Sequence, residues 1–171
     1  MYKDAWVHLV DDDFAKANLQ AQANFIWIDG IAGLVLVVGV AQFLIRKKYA
    51  KTIPTLFACV GACCFFTATL ITPKIEAISQ RANIEFFKQR QGEDCYVETF
   101  GYKSYAQHYY SKKMPFTNKN ANDIEWLLHG KIDKPTYISV KVNSFVYMDS
   151  LPGFTKLYHK NGFGFYKRMP Q

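Results

Sequence analysis

The sequence predicts a membrane helical hairpin, two transmembrane helices, followed by a small α/β domain with a mixed sheet that ends in a β-hairpin. Three observations predict it. Two long apolar runs, residues 25–45 and 53–72, flank a short basic break. After Pro73 the chain turns polar and alternates helical with strand-like patterns. Near its end, Asn161-Gly162 lies between two aromatic runs. The chain therefore divides into an interfacial amphipathic segment (1–23), a transmembrane hairpin (24–73) and an α/β domain (74–171).

Each apolar run has about the 20 residues needed to cross a hydrocarbon core. In lipid the backbone must satisfy its own hydrogen bonds, so each run should be a helix. The first carries a single charge, Asp29, and the second none. An ionisable group at such a depth is a functional candidate, although at the start of a span it can also reach water. Arg46, Lys47, Lys48 and Lys51 crowd the connection, and the positive-inside rule places that connection in the cytoplasm. Both ends of the chain then face outward, which in a bacterium means an inner-membrane protein with a periplasmic C-terminal domain.

Upstream, residues 1–23 mix Trp6, Leu9, Val10, Phe14 and Leu19 with Asp11, Asp12 and Asp13. The acidic run can cap a helix that starts near Phe14. Trp6 and Trp27 suit the head-group level. The segment lacks the basic start and small-residue cleavage site of a signal peptide.

Pro73 should end the second span. Residues 74–91 then have helical spacing, with Ile75, Ile78, Ala82 and Phe86 on one side and Ile84 and Phe87 beside them, and Gly92 as the stop. Residues 94–100 are rich in Tyr, Val, Thr and Phe and predict a strand. Helices are expected over 103–113 and 124–129, a second strand over 136–140 and a short helix within 141–150. Asn-Gly between residues 154–159 and 163–167 is a strong hairpin signal.

Composition excludes more than it assigns. Net charge is +7, from 21 Lys+Arg against 14 Asp+Glu. That balance suits an anionic partner, but the basic residues are scattered. No basic-aromatic recognition module appears, and nucleic acid is not an expected partner. Cys59, Cys63 and Cys64 lie in the second apolar run and Cys95 stands alone, so neither a disulfide framework nor a zinc site is expected. No phosphate-binding loop, nucleophile elbow, metal cluster or cofactor motif is present. Glu76, Glu85, Glu93, Asp94 and Glu98 show no paired spacing, and His8, His108, His129 and His159 are far apart. Catalytic residues: none. One stretch remains, Gly101 to Tyr105, where a strand meets a helix. Ligands bind beyond the carboxyl ends of strands in α/β sheets, and helix N-termini favour anions. Lys103, Tyr105 and His108 are the candidate substrate-binding residues there, for a phosphate or a sugar.

The runs ISQRANIEFFKQRQGEDCYVETFGYKSYAQHYYSKKMP (78–115), WLLHGKIDKPTYISVK (126–141) and LYHKNGFGFYKR (157–168) resemble the C-terminal portion of bacterial membrane glycosyltransferases of the aminoarabinose-transferase and protein-mannosyltransferase type. The resemblance covers roughly residues 24–168 and rests on wording such as GYKSYA, GKIDKP and KNGFGFYKR. It implies a multi-helix membrane enzyme that takes a sugar from a polyprenyl-phosphate carrier, with a small periplasmic α/β domain after its last helices. That family's catalytic carboxylate lies in an early periplasmic loop with no counterpart here, so no catalytic residue is carried over. On this reading the chain is the C-terminal membrane and periplasmic region of such an enzyme, inactive alone. Its partners would be membrane lipid, the polyprenyl-phosphate sugar and the missing N-terminal transmembrane part. The alternative is a stand-alone membrane-anchored periplasmic binding or sensor protein.

Overall fold

The structure, a computed structural model, describes residues 7–21, 24–46, 49–113 and 118–170. Trp6, Lys47, Lys48, Pro115 and the side chain of Lys51 lie outside the described residues. The chain forms two compact units, Gln22–Ile78 and a second made of Met1–Ala21 with Ser79–Gln171.

The first unit is a helical hairpin. A 3-10 turn, Trp27–Gly30, leads into α2 (Ile31–Arg46). After the connection come α3 (Tyr49–Phe66), a π-helical turn Thr67–Ile71, and α4 (Thr72–Ser79). Trp27–Arg46 and the 28 residues of Thr52–Ser79 are each long and apolar enough, by length and composition, to cross a membrane. Ala32 and Gly39, seven residues apart, are the buried positions of α2. A Cβ on Gly39 would lie 2.7 Å from Cys59 Cβ, so the two backbones approach where both residues are small.

Pro73 does not end the second helix, contrary to expectation. Proline removes one N–H and its ring collides with the carbonyl four residues earlier. Here the wider π turn directly precedes it and relieves that collision. The Thr69 hydroxyl donates to the carbonyls of Phe65 (2.9 Å) and Phe66 (3.3 Å), which satisfies acceptors that the irregular turn disturbs. Near the far ends of the two helices, Lys74 Nζ donates to both carboxylate oxygens of Asp29 at 2.7 Å, and Asp29 Oδ2 also accepts the Ile26 N–H at 2.8 Å. The charge that sequence marked as a functional candidate is therefore a tie between two helices. The helical break falls at Gln80 (φ −132°, ψ −19°) instead of Pro73, and the predicted single helix over 74–91 is divided there.

The second unit is the α/β domain. It contains α1 (Asp13–Gln20), α5 (Arg81–Lys88), β1 (Tyr96–Phe100), α6 (Ala106–Ser111), α7 (Ile124–His129), β2 (Thr136–Lys141), α8 (Phe145–Ser150), β3 (Phe154–Lys160) and β4 (Phe163–Arg168). The sheet order is β1-β2-β4-β3. β1 and β2 are parallel, with Val97 opposite Tyr137, while β2–β4 and β4–β3 are antiparallel. The sheet is mixed and closes on a hairpin, as predicted. Asn161 (φ 52°) and Gly162 (φ 79°) both take the left-handed conformations that a two-residue turn of this type requires.

Strand alternation sends two sets of side chains to opposite faces. Val97, Tyr137, Phe163 and Phe165 meet Phe86 and Phe87 of α5. Ile138, Val140 and Tyr166 meet Leu128 of α7 and Met148 of α8. Phe86 and Phe87 are fully buried, which stabilises the fold by about 1.5–3 kcal/mol each. Arg168 is buried and donates to the carbonyls of Leu127 and Gly130, both at 2.8 Å. It thereby caps the C-terminal end of α7 from the last residue of β4.

Helix α1 belongs to this domain. Asp12 caps it by accepting the Phe14 N–H at 3.0 Å. Phe14 meets Phe163 edge-on with ring centroids 5.1 Å apart, and Lys141 Nζ lies 4.3 Å over the Phe14 ring. Phe14, within the segment expected to lie along an interface, thus packs on the sheet through Phe163.

Charge reversal by Asp29→Lys should lower the thermal midpoint of helix loss for the full chain in nanodiscs, and the double exchange Asp29→Lys/Lys74→Asp should restore most of it. A double variant no better than the single one would show that the pair does not couple the helices. Gly164→Ala should cost about 1–3 kcal/mol in urea unfolding, because its Cβ would lie 2.5 Å from Phe145 Cε1.

Candidate functional site

Gly101 ends β1 in the left-handed region (φ 81°), and a Cβ there would lie 2.6 Å from Ser144 Oγ. Glycine alone combines that conformation with that approach. The chain reverses at once, and Tyr102 turns inward. Its hydroxyl donates to Ser139 Oγ at 2.9 Å, on the fully buried middle of β2, and its ring lies 5.5 Å from that of Phe163. Burial holds the Tyr102 phenol well above its ordinary range. Tyr102 is therefore a structural pin.

The pin suspends Lys103, Ser104 and Tyr105 over the edge strand. Ser104 Oγ accepts the Ala106 N–H at 3.1 Å and starts α6. Lys112, at φ 55°, ends it six residues later. The predicted helix over 103–113 is thus much shorter, and Lys103 lies in the loop. A six-residue helix has little macrodipole, so the expected helix-terminus contribution to anion binding is not supplied here.

Under this loop lies a cavity of about 570 Å³, lined by Glu98, Lys103, Tyr105, Gln107, His108 and Asn122 among others. That size falls in the range of small-molecule sites. All three residues singled out from sequence, Lys103, Tyr105 and His108, border it. Lys103 and Tyr105 are exposed at the rim, Tyr105 at 88%, and His108 is half-buried. The residues that sequence reasoning passed over are Glu98 and Gln107. Glu98 Oε1 accepts the Thr99 N–H at 2.9 Å and a Gln107 Nε2–H at 2.8 Å. Because Glu98 Oε1 is already an acceptor, the Gln107 amide must turn its nitrogen toward it. Gln107 Oε1 then carries no hydrogen bond although the residue is only 3% exposed. A buried acceptor left so costs roughly 1–3 kcal/mol.

Burial raises the Glu98 carboxyl above its ordinary value, against the opposing effects of the Thr99 N–H, the nearby His108 and the Gln107 amide. The pairing joins residues nine apart across a strand, a turn and a helix, and no single periodicity marks it. The only signal was a carboxylate in the middle of a predicted strand.

A smaller cleft of about 300 Å³ lies on the other side of Tyr102 and Lys103, bordered by Phe14, Gln80, Asn83 and Lys141. Among the described residues no three His, Cys, Asp or Glu side chains gather as metal ligands. Cys59, Cys63, Cys64 and Cys95 are all free thiols, and burial raises the Cys95 thiol.

A carboxyl held high in the folded state favours folding most when protonated, and that advantage fades as pH rises through its folded pKa. The stability of wild type minus that of Glu98→Gln should therefore grow as pH falls from 7 toward the ordinary value of 4.5. Glu98→Gln should be the more stable chain at pH 7. A difference independent of pH, followed by thermal unfolding, would show that Glu98 is not desolvated.

Comparison of the chain with protein-family models, curated proteins and solved structures returns no match.

Proposed function

We propose that this chain is a membrane-anchored ligand-binding module. Its two apolar helices hold it in a bacterial inner membrane, and its α/β domain stands in the periplasm and takes a polar ligand at the end of β1. The observation that carries the reading is the 570 Å³ cavity, which gathers Lys103, Tyr105 and His108 around the half-buried Glu98 and its hydrogen-bonded partner Gln107. Four of these five side chains are polar or charged, and none is tied into the apolar core clusters. The arrangement suits recognition of hydrogen-bonding groups.

The resemblance of residues 78–115, 126–141 and 157–168 to polyprenyl-phosphate-dependent glycosyltransferases suggests a specific setting. There the module is the C-terminal membrane and periplasmic region of such an enzyme, inactive alone, and it serves a catalytic part carried on other transmembrane helices. The crowding of basic residues at Arg46 and just beyond supports the outward orientation this requires. As a stand-alone protein the same module would act as a binding or sensor component.

A C-terminal reporter active only outside the cytoplasm, combined with purification in mild detergent, tests both levels. The expected result is an active reporter on a chain that co-purifies with a polytopic membrane protein. An active reporter on a chain that purifies alone would select the stand-alone module. A silent reporter, with activity regained by a fusion at the connection, would overturn the orientation and the glycosyltransferase setting together.

A further inference from the structure

We infer that the cavity beneath Lys103 takes a free α-amino acid, with Glu98 on its floor receiving the ammonium group, Lys103 on its rim receiving the carboxylate and the Tyr105 ring covering an apolar side chain. The inference rests on the ligand-binding reading above and names the class of ligand.

Two opposite charges border this cavity without meeting. Glu98 and Lys103 both line it, and neither forms an ion pair among the described residues. Elsewhere on the domain Lys134, Lys156 and Lys160 each reach a carboxylate, at 2.7, 3.0 and 3.2 Å. A lysine held beside a carboxylate that it does not touch leaves room between them for a molecule carrying both charges.

The acceptor left for a ligand is Glu98 Oε2. Oε1 is committed to the Thr99 N–H at 2.9 Å and to Gln107 Nε2 at 2.8 Å, and Gln107 itself is enclosed at 3% exposure. Oε2 accepts no hydrogen bond among the described residues and is open to solvent, on a half-buried side chain that borders the cavity. Burial raises this carboxyl despite the nearby His108. An ammonium group at Oε2 adds a charge-assisted bond that favours the ionised form.

Charge balance disfavours the simpler ligands. An anion suits Lys103 but meets Glu98. A cation suits Glu98 but meets Lys103, in a chain of net charge +7. A zwitterion answers both and brings no net charge into the cavity. Its ammonium supplies donors and its carboxylate supplies acceptors. Ser104 and Asn122 border the same space with hydroxyl and amide groups able to donate to that carboxylate.

The rim sets the side chain. Tyr105 is 88% exposed, and Ile124 is half-buried on the same lining. An aromatic ring left in water beside a polar cavity has an apolar face to cover and a hydroxyl that stays wet. A leucine- or phenylalanine-sized side chain covers that face without desolvating a charge, and the cavity of about 570 Å³ has the volume for it.

The test uses the full chain in lipid nanodiscs and isothermal titration calorimetry. Free L-leucine and L-phenylalanine are titrated, each beside its amide, which keeps only the ammonium, and its N-acetyl form, which keeps only the carboxylate. Inorganic phosphate and mannose are titrated separately. At least one of the two amino acids should bind, and its amide and N-acetyl form should each bind about tenfold or more weakly, the loss expected on removing a charged hydrogen bond. Lys103→Ala should weaken the amino acid by a like factor and leave the amide unchanged. Glu98→Gln should weaken the amino acid and leave the N-acetyl form unchanged. Tyr105→Ala should weaken all three. Lys103 and Tyr105 are exposed, so folding is not at stake there, and a circular-dichroism melt reports whether Glu98→Gln remains folded. An amide or N-acetyl form that binds as tightly as its amino acid would overturn the zwitterion assignment and leave the ligand-binding reading standing. Binding of phosphate or mannose alone would do the same. Amino-acid binding unchanged in Lys103→Ala and in a folded Glu98→Gln would overturn the assignment to this cavity. Binding of no probe would remove the amino-acid assignment together with the reading on which it rests.

Discussion

The hydroxyl of Tyr102 on Ser139 is the contact on which the candidate site depends. β1 is an edge strand, and a chain leaving an edge strand can drift into solvent. Gly101 turns it back through a conformation that other residues avoid, and Tyr102 anchors the return to the buried centre of β2. A phenol buried there needs a partner, and Ser139 supplies one without bringing charge into the sheet. Once Tyr102 is fixed, the loop has no slack. Lys103 and Tyr105 fall on the rim, and α6 starts in the orientation that returns Gln107 to Glu98. The polar floor thus follows from an apolar ring and a glycine.

A different constraint shapes the helical hairpin. Two helices whose outward faces are apolar associate through close contact and polar pairing when they cross a membrane, as these are long and apolar enough to do. Gly39 against Cys59 provides the contact, and Asp29 with Lys74 provides the pairing. The π turn before Pro73 solves a separate problem within one helix. The helix continues past Pro73 by rearranging backbone bonds in the π turn.

The exposed edge at β3 is managed by chemistry. Lys156 and Lys160 line it, and the register shifts between Lys156 and Tyr158. Charged side chains and an irregular register both discourage addition of a further strand. Ion pairs from Lys156 to Asp149 and from Lys160 to Glu85 hold two of these charges close to the domain. The open polar chemistry is concentrated instead at the opposite edge, around β1.

The sequence by itself determined the elements whose cause is local. Two apolar runs of spanning length, the Asn161-Gly162 turn and the capped helix at Ile124–His129 each carry their reason in consecutive residues, and each is found where the pattern predicts it. The stretch from Gly101 to Tyr105 was legible as a place where a strand gives way to a helix, and with it three of the residues that border the cavity. Tertiary structure alone decided the rest. Glu98 became a floor residue because α6 returns over the edge strand, Asp29 became a tie because Lys74 lies 45 residues away on a neighbouring helix, and Phe14 joined a core whose other members follow the hairpin. These roles are set by what approaches a side chain from elsewhere in the chain. Burial and hydrogen-bond partners are properties of that approach, and no local spacing encodes them.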